Sequence, residues 1–134
     1  MTNSMPEPDF RYWHYELGSG WQVFAGKSSR DNERLSLHFA LPGDYWFHAG
    51  KHAGSHVILR APEAGMQPEA GLLQQAAAIA AWHSKGRHEG LCQVDCVLAR
   101  QVGKTKGSPV GTVSIGKARK LKVRPALPAL GQPD

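Results

Sequence analysis

The chain has 134 residues, of which 41% are hydrophobic and 20% charged, and its formal net charge at pH 7 is +5. This length suits one domain with a core of its own, but not two. The longest apolar run, at residues 76–82, is too short to span a bilayer, and residues 1–9 lack the features of a signal peptide. We therefore expect a cytoplasmic protein with no membrane partner.

The N-terminal part predicts a β-hairpin followed by a short helix. Residues 1–10 are polar and contain two prolines, which predicts a disordered lead. Residues 11–17 and 21–25 alternate in polarity around a Gly-Ser-Gly turn, a pattern typical of two paired strands. A serine, Ser28 or Ser29, is placed to cap a short helix with acidic residues in its first turn.

The stretch 44–59 is the most concentrated set of polar and aromatic residues in the chain. Its flanks, 45–47 and 56–59, predict two short buried strands. Two glycines between them weaken any regular structure, so the segment 50–56 predicts a turn. Such a turn is a candidate cradle for an anion, because successive backbone N–H groups can converge there. The alternative, a structural turn whose Ser55 and His56 satisfy neighbouring backbone groups, remains open.

The second half predicts one long helix and further strands. Alanine-rich residues 69–85 follow a proline and precede Gly86, an asymmetry typical of helix ends. Their apolar stripe indicates packing against a sheet. Three further strands are predicted, at residues 91–102, 110–115 and 118–123. The last would have one apolar face and one fully cationic face.

These elements predict an α+β fold. We expect a mainly antiparallel sheet of about six short strands, with one long alanine-rich helix and one short helix packed on it. A single domain would cover residues 11–125, and a flexible proline-rich tail would cover 126–134. Cys92 and Cys96 would share a strand face about 13 Å apart, too far for a disulfide, and would be reduced and partly buried.

Positive charge is concentrated toward the C-terminus. Eight Lys or Arg residues and no acid lie between Cys96 and Arg124. One-sided charge of this kind is the electrostatic footprint of a protein that binds a polyanion. A solvated basic surface with no ligand would give the same pattern.

Histidines at intervals of four, His48, His52 and His56, make a small metal-dependent hydrolase an alternative. On a helix this spacing would align three ligands, but the intervening glycines argue against a helix, and no cysteine pair has zinc-site spacing. Adjacent residues point to opposite sides of a strand, so Ser55 and His56 are a poor nucleophile–base pair. We therefore predict a non-catalytic module with no metal and no cofactor.

Five ordered motifs carry a family resemblance. They are Gly26-Lys27 with Asn32-Glu33; Asp44 with Trp46-Phe47-His48 and Gly54-Ser55-His56-Val57; Ala76-Ala77 with Ser84-Lys85-Gly86-Arg87; Val102 and Lys104 with Pro109-Val110-Gly111; and the basic strand 120–125. Together they resemble the NFACT-R domain, the RNA-binding domain near the C-terminal end of NFACT proteins of ribosome-associated quality control. Glu33 replaces the usual aspartate, His38 a common lysine, and Ala53 a proline.

The resemblance implies nucleic-acid binding, with RNA (tRNA or ribosomal RNA) in a translation context as the expected partner. DNA stays possible because charge does not distinguish the two, and a protein-interaction adaptor in translation is a further alternative. We expect a stand-alone bacterial-type member, without the N-terminal part and coiled coil of full-length NFACT proteins. The sequence leaves the oligomeric state open.

Candidate contacts to nucleic acid combine the basic residues with the polar residues of the central turn. They are Lys27, Arg30, Asn32, His48, Lys51, His52, Gly54, Ser55, His56, Lys85, Arg87, Lys104, Lys106, Lys120, Lys122 and Arg124. Three aromatic residues, Trp13, Tyr45 and Trp82, are candidates for stacking on unpaired bases.

Overall fold

The computed structural model describes residues 9–128. Eight strands follow one another along the chain: β1 (Tyr12–Glu16), β2 (Gln22–Gly26), β3 (Tyr45–Ala49), β4 (Val57–Arg60), β5 (Cys92–Leu98), β6 (Val102–Gly103), β7 (Ser114–Ile115) and β8 (Arg119–Val123). Six of them form one antiparallel sheet in the order β1-β2-β4-β3-β5-β8, and β6 pairs with β7 separately. The predicted α+β fold is confirmed. The predicted lead and tail lie mostly outside the described residues.

Two α-helices accompany the sheet, α1 (Ser29–Arg34) and α2 (Ala70–Trp82). Ser28 caps α1, because its Oγ accepts a hydrogen bond from the backbone N–H of Asp31 at 3.1 Å. α1 continues directly into a π-helix over Leu35–Phe39. In the described part of the chain, no helix is long and apolar enough to cross a membrane.

Apolar side chains fill both faces of the sheet. On one face, Phe47 and Val57 pack against the alanine-rich side of α2. On the other, Trp46 and Ile58 pack against Leu35 of the π-helix. Alternation along β3 therefore buries Trp46 and Phe47 on opposite sides of the same strand. Cys92 and Cys96 are buried free thiols on the α2 face, as expected.

The predicted helix over residues 69–85 ends at Trp82, because the backbone that follows pairs elsewhere. Ser84 forms an antiparallel bridge with Gly54. The N–H of Ser55 donates to the carbonyl of His83 at 2.9 Å, and the N–H of Lys85 donates to the carbonyl of Ala53 at 2.9 Å. These bonds replace the next helical turn and attach the end of α2 to the turn between β3 and β4.

Two predicted strands are shorter than expected. The strand predicted over 91–102 ends at Leu98, where the N–H of Ala99 donates to the carbonyl of Asp44 at 2.8 Å and a 3₁₀ turn begins. The strand predicted over 110–115 is reduced to Ser114–Ile115. Gly111 has φ +89°, which is left-handed and breaks the extended chain.

A buried ion pair holds the start of β3. Asp44 is 3% exposed, and its Oδ2 accepts hydrogen bonds from Arg60 Nη2 at 2.8 Å and from the N–H of Leu41 at 2.8 Å. Arg60 also donates to the carbonyl of Phe39 at 2.9 Å. The end of the π-helix is thereby fixed to the sheet. Asp44 is therefore structural in this fold.

The close approach of Gly54 to Ser84 makes a stability prediction. A Cβ at position 54 would lie 2.6 Å from Ser84 Cβ and 2.8 Å from Ser84 Cα, both closer than van der Waals contact. We expect Gly54→Ala to lower the free energy of unfolding by about 1–3 kcal/mol, the usual cost of overpacking. Gly90→Ala is the control, because a Cβ there meets nothing within 4 Å. Urea denaturation measures both; equal stabilities would contradict the packing described.

Candidate nucleic-acid interface

A cavity of about 350 Å³ opens beside the turn between β3 and β4. Gly54 and Ser84 form its floor, where the turn meets the end of α2. Lys27, Lys85 and Arg87 surround it, and all three are exposed. Among residues 9–128, no carboxylate belongs to the lining. The structure thus brings together three of the predicted cationic contacts, from two segments far apart in the sequence, in one place.

An aromatic stack forms one wall of this cavity. The rings of Trp13 and His83 lie 4.2 Å apart between centroids, at an interplanar angle of 17°. Lys27 Nζ lies 5.1 Å from the centroid of the Trp13 ring, a cation–π contact. Trp13 is 38% exposed, so part of the indole remains accessible beside the cations.

His83 is a neutral component of this wall. Burial, and then the positive charge of Arg87, lowers the pKa of His83 to about 4. A hydrogen bond of 2.6 Å joins its Nε2 to the hydroxyl of Tyr15. His83 therefore supports Trp13 as an uncharged ring. The sequence alone did not identify His83 as part of a site; its position directly before the Ser84-Lys85 motif was the available signal.

The polar residues of the central turn are bonded inside the protein. Ser55 is 7% exposed and its Oγ donates to the carbonyl of Gly26 at 2.6 Å. The N–H of His56 donates to Oδ1 of Asn32 at 3.0 Å, and that of Ser55 to the carbonyl of His83. These N–H groups are therefore not available to a converging anion nest. Ser55 and Asn32 line the cavity, and their hydrogen bonds fix its shape.

A buried chain of hydrogen bonds continues from His56 into the second core. Its Nδ1 is 2.8 Å from Ser36 Oγ, which also accepts a hydrogen bond from Trp46 Nε1 at 2.8 Å. Burial, and then the neighbouring imidazole of His48, lowers the pKa of His56 to about 3. Burial also lowers the pKa of His48, whose ring centroid lies 5.4 Å from that of His56. Both imidazoles are neutral at physiological pH.

The three histidines at intervals of four do not form a common donor group. They line a second cavity of about 450 Å³. His52, however, pairs with Glu89, with 3.1 Å between Nε2 and Oε2. Within residues 9–128, the one group of three or more His, Cys, Asp or Glu side chains with mutually close donor atoms is His52, Glu89 and Cys92. His48 and His56 are not members of it.

Several predicted cationic contacts are occupied by partners within the chain. Lys104 Nζ donates to Glu33 Oε1 at 2.8 Å and to the carbonyl of Pro109 at 2.7 Å, and so holds its own loop in place. Lys120 Nζ lies 2.5 Å from Asp95 Oδ1. Lys120 and Lys122 are exposed on one side of β8, whereas Leu121 and Val123 turn inward, but β5 places the carboxylate of Asp95 opposite Lys120.

The remaining predicted contacts are distributed over other parts of the surface. Arg30 donates to the carbonyl of Asp9 at 2.9 Å. Lys51 and Lys122 line a third cavity together with His52. Lys106 and Arg124 are exposed. Of the predicted stacking residues other than Trp13, Tyr45 and Trp82 are half-buried, and the guanidinium of Arg87 lies 4.7 Å from the Trp82 ring centroid.

Comparison with known proteins identifies the family. The family model described as NFACT protein RNA binding domain matches residues 10–117. The chain belongs to the NFACT-R family. Among curated proteins, this NFACT-R chain is similar to the Rqc2 homolog RqcH of Streptococcus suis, 34% identical over 103 residues, and to that of Bacillus subtilis, 34% identical over 111 residues. These alignments cover 77% and 83% of the chain but only 18% and 19% of the relatives.

A solved structure supports the NFACT-R fold as well. It is the C-terminal part of the fibronectin/fibrinogen-binding protein from Streptococcus suis, with a TM-score of 0.76 and 29% sequence identity. The match covers 94% of this chain and 49% of that one. The family resemblance predicted from the five motifs is confirmed.

The buried histidines predict how stability depends on pH. His56 and His83 have folded-state pKa values of about 3 and about 4, below the value of 6.5 expected in the unfolded chain. The unfolded chain therefore binds more protons below about pH 6.5, and the free energy of unfolding should fall as the pH decreases from there. Each histidine contributes a slope of up to about 1.4 kcal/mol per pH unit.

Urea denaturation at about pH 7 and about pH 5 measures this dependence, in a range above the titration of ordinary carboxylates. His83→Gln should show a shallower slope than the wild type. His14→Gln is the control, because His14 is exposed. A wild-type stability that stays constant over this range would contradict the neutral, buried state of these rings.

Proposed function

We propose that this NFACT-R domain is a non-catalytic module that binds unpaired RNA at the cavity beside Gly54. The observation that carries the proposal is the grouping of Lys27, Lys85 and Arg87 around a cavity, next to the partly exposed Trp13. The described part of the chain contributes no carboxylate to the lining of this cavity. Cations supply affinity for the phosphate backbone, and an aromatic face supplies a platform for a base.

Contacts within the protein hold the side chain of Arg87 in one orientation before any ligand binds. Arg87 Nε donates to the carbonyl of Trp82 at 2.7 Å while its guanidinium lies over the Trp82 ring. This arrangement leaves the terminal N–H groups of the fork for a phosphate, which guanidinium groups bind in bidentate geometry. Lys27 and Lys85 add two mobile point charges. Contacts of this type are independent of sequence, so discrimination would come from the base on Trp13.

The family supplies the biological setting of the proposal. NFACT-R is described as an RNA-binding domain, and the curated relatives are named Rqc2 homolog RqcH. We propose tRNA or ribosomal RNA as the ligand, in translation or ribosome-associated quality control. Because the chain spans under a fifth of the length of those relatives, only the RNA-binding part of their role is proposed for it.

Charge reversal at the cavity tests the site. Lys85→Glu and Arg87→Glu, made singly, should each lower affinity for an unstructured RNA about tenfold or more at low salt. Each should also reduce the slope of log affinity against log salt by about 0.7, the value for one phosphate contact on a single strand. Fluorescence anisotropy with labelled RNA, and with DNA of the same sequence, provides the measurement.

Lys117→Glu is the matched control, since Lys117 is exposed and does not line the cavity. It changes net charge by the same amount as Lys85→Glu. If all three variants weaken binding equally, the affinity arises from overall charge and the cavity is not the site. Absence of RNA binding by the wild type at low salt would remove the proposed function itself.

Trp13 tests the stacking component separately. Trp13→Ala should reduce RNA affinity by about 1–3 kcal/mol, whereas Trp13→Phe should retain most of it, because stacking requires an aromatic face. The effect should disappear with an abasic oligonucleotide of the same length, measured by the same anisotropy assay. Equal losses with normal and abasic RNA would show that Trp13 supports the fold and does not stack on a base.

A further inference from the structure

Three side chains that take no part in the proposed RNA site meet on the opposite side of the turn between β3 and β4. His52 lies in that turn, Glu89 lies between α2 and β5, and Cys92 begins β5. Their donor atoms all lie within 4.8 Å of one another. We propose that His52, Glu89 and Cys92 form a binding site for one thiophilic divalent cation of the Zn²⁺ class. This inference is independent of RNA binding.

The distances suit tetrahedral coordination. Nitrogen and oxygen ligands at the usual distances from zinc are separated by about 3.3 Å in a tetrahedron. His52 Nε2 and Glu89 Oε2 already lie 3.1 Å apart. The sulfur of Cys92 is within 4.8 Å of both, so a small side-chain rotation closes the third position.

Gly86 leaves the space that this grouping needs. A Cβ at position 86 would lie 2.7 Å from His52 Cδ2, 2.9 Å from His52 Nε2 and 3.1 Å from Cys92 Sγ. The imidazole of His52 and the thiol of Cys92 therefore both pack against the backbone of Gly86, where no side chain separates them. These two residues come from segments distant in sequence. An ordinary side chain there would push them apart.

The donor set selects the class of metal. Thiolate and imidazole are ligands for Zn²⁺, Co²⁺ and similar ions, whereas Mg²⁺ and Ca²⁺ take oxygen ligands. A third cavity of about 290 Å³, lined by all three residues, opens to the site and admits water as the fourth ligand. Three protein ligands with one open position are common for zinc.

Charge balance is favourable once the thiol loses its proton. Burial, and then the negative charge of Glu89, raises the pKa of Cys92, so the thiol is protonated in the metal-free protein. Formation of the sulfur–metal bond releases that proton to solvent. The thiolate and the carboxylate then neutralise the two positive charges of the ion. Lys51 and Lys122, which line the same cavity, consequently face a site with no net charge.

Metal binding would add a link between the turn, the segment after α2 and the start of β5. The His52–Glu89 ion pair is partly exposed, with side-chain exposures of 23% and 51%, and such pairs contribute little to stability. The segment between Ser84 and Glu89 also carries Lys85 and Arg87. A bound ion would therefore stabilise the backbone that presents the cations of the proposed RNA site.

Titration of the full chain with Co²⁺, after removal of metals with a chelator, tests the proposal. We expect one ion per chain, a near-ultraviolet charge-transfer band from thiolate to Co²⁺, and the strong visible bands of a tetrahedral site. Cys92→Ser should abolish the charge-transfer band, whereas Cys96→Ser, which changes the other buried thiol of the same strand, should retain it. No band in the wild type, or a band that persists in Cys92→Ser, would overturn the site.

The affinity for Zn²⁺ is a second measurement, which does not depend on the charge-transfer band of the thiolate. His52→Ala should weaken Zn²⁺ binding at least about 100-fold, because removal of a ligand costs more than removal of the groups that orient it. His88→Ala, a change of an exposed histidine in the neighbouring segment, should leave the affinity unchanged. Equal affinities for the two variants would assign the metal to surface histidines and overturn the proposal.

Discussion

The close contact between the turn at Gly54 and the end of α2 is the constraint on which the candidate site depends. Gly54 bridges Ser84 with no room for a side chain, and the flanking N–H groups of Ser55 and Lys85 are consumed in the same contact. Ser55 in turn binds the carbonyl of Gly26, directly before Lys27. Lys27 directly follows Gly26, and Lys85 takes part in the contact through its own N–H. Arg87 lies two residues further along the chain. The geometry of the contact therefore sets the positions of all three cations.

Buried polar groups on the other side of the turn make this contact rigid. Asn32 accepts from the backbone of His56, whose ring joins Ser36 and Trp46 in the second core. No buried side-chain N or O atom in the described part of the chain lacks a hydrogen-bond partner. A fully satisfied network of this kind costs little in desolvation and fixes one arrangement of α1 on the sheet. The histidine it contains, His56, stays neutral because burial lowers its pKa to about 3.

The arrangement of cations matters more than their total number. Lys104, Lys120 and Arg60 each have a carboxylate partner within the fold, and these pairs position loops and strands. Lys27, Lys85 and Arg87 surround a cavity to whose lining the described residues contribute no carboxylate. The same turn that carries Gly54 toward this cavity carries His52 to the other side, toward Glu89 and Cys92. One short turn therefore supports both the proposed RNA site and the proposed metal site.

The sequence by itself determined the α+β class, the hairpin, a serine cap at position 28 or 29, the alanine-rich helix and the family, because each depends on local periodicity or on ordered motifs. It did not predict the end of α2 at Trp82, the partners of Lys104 and Lys120, or the grouping of His52, Glu89 and Cys92. Each of these depends on contacts between segments far apart in the chain: a bridge to Gly54, carboxylates on α1 and β5, and bare backbone at Gly86. Pairing across the sheet decides such contacts, and no local pattern encodes which side chains will meet there.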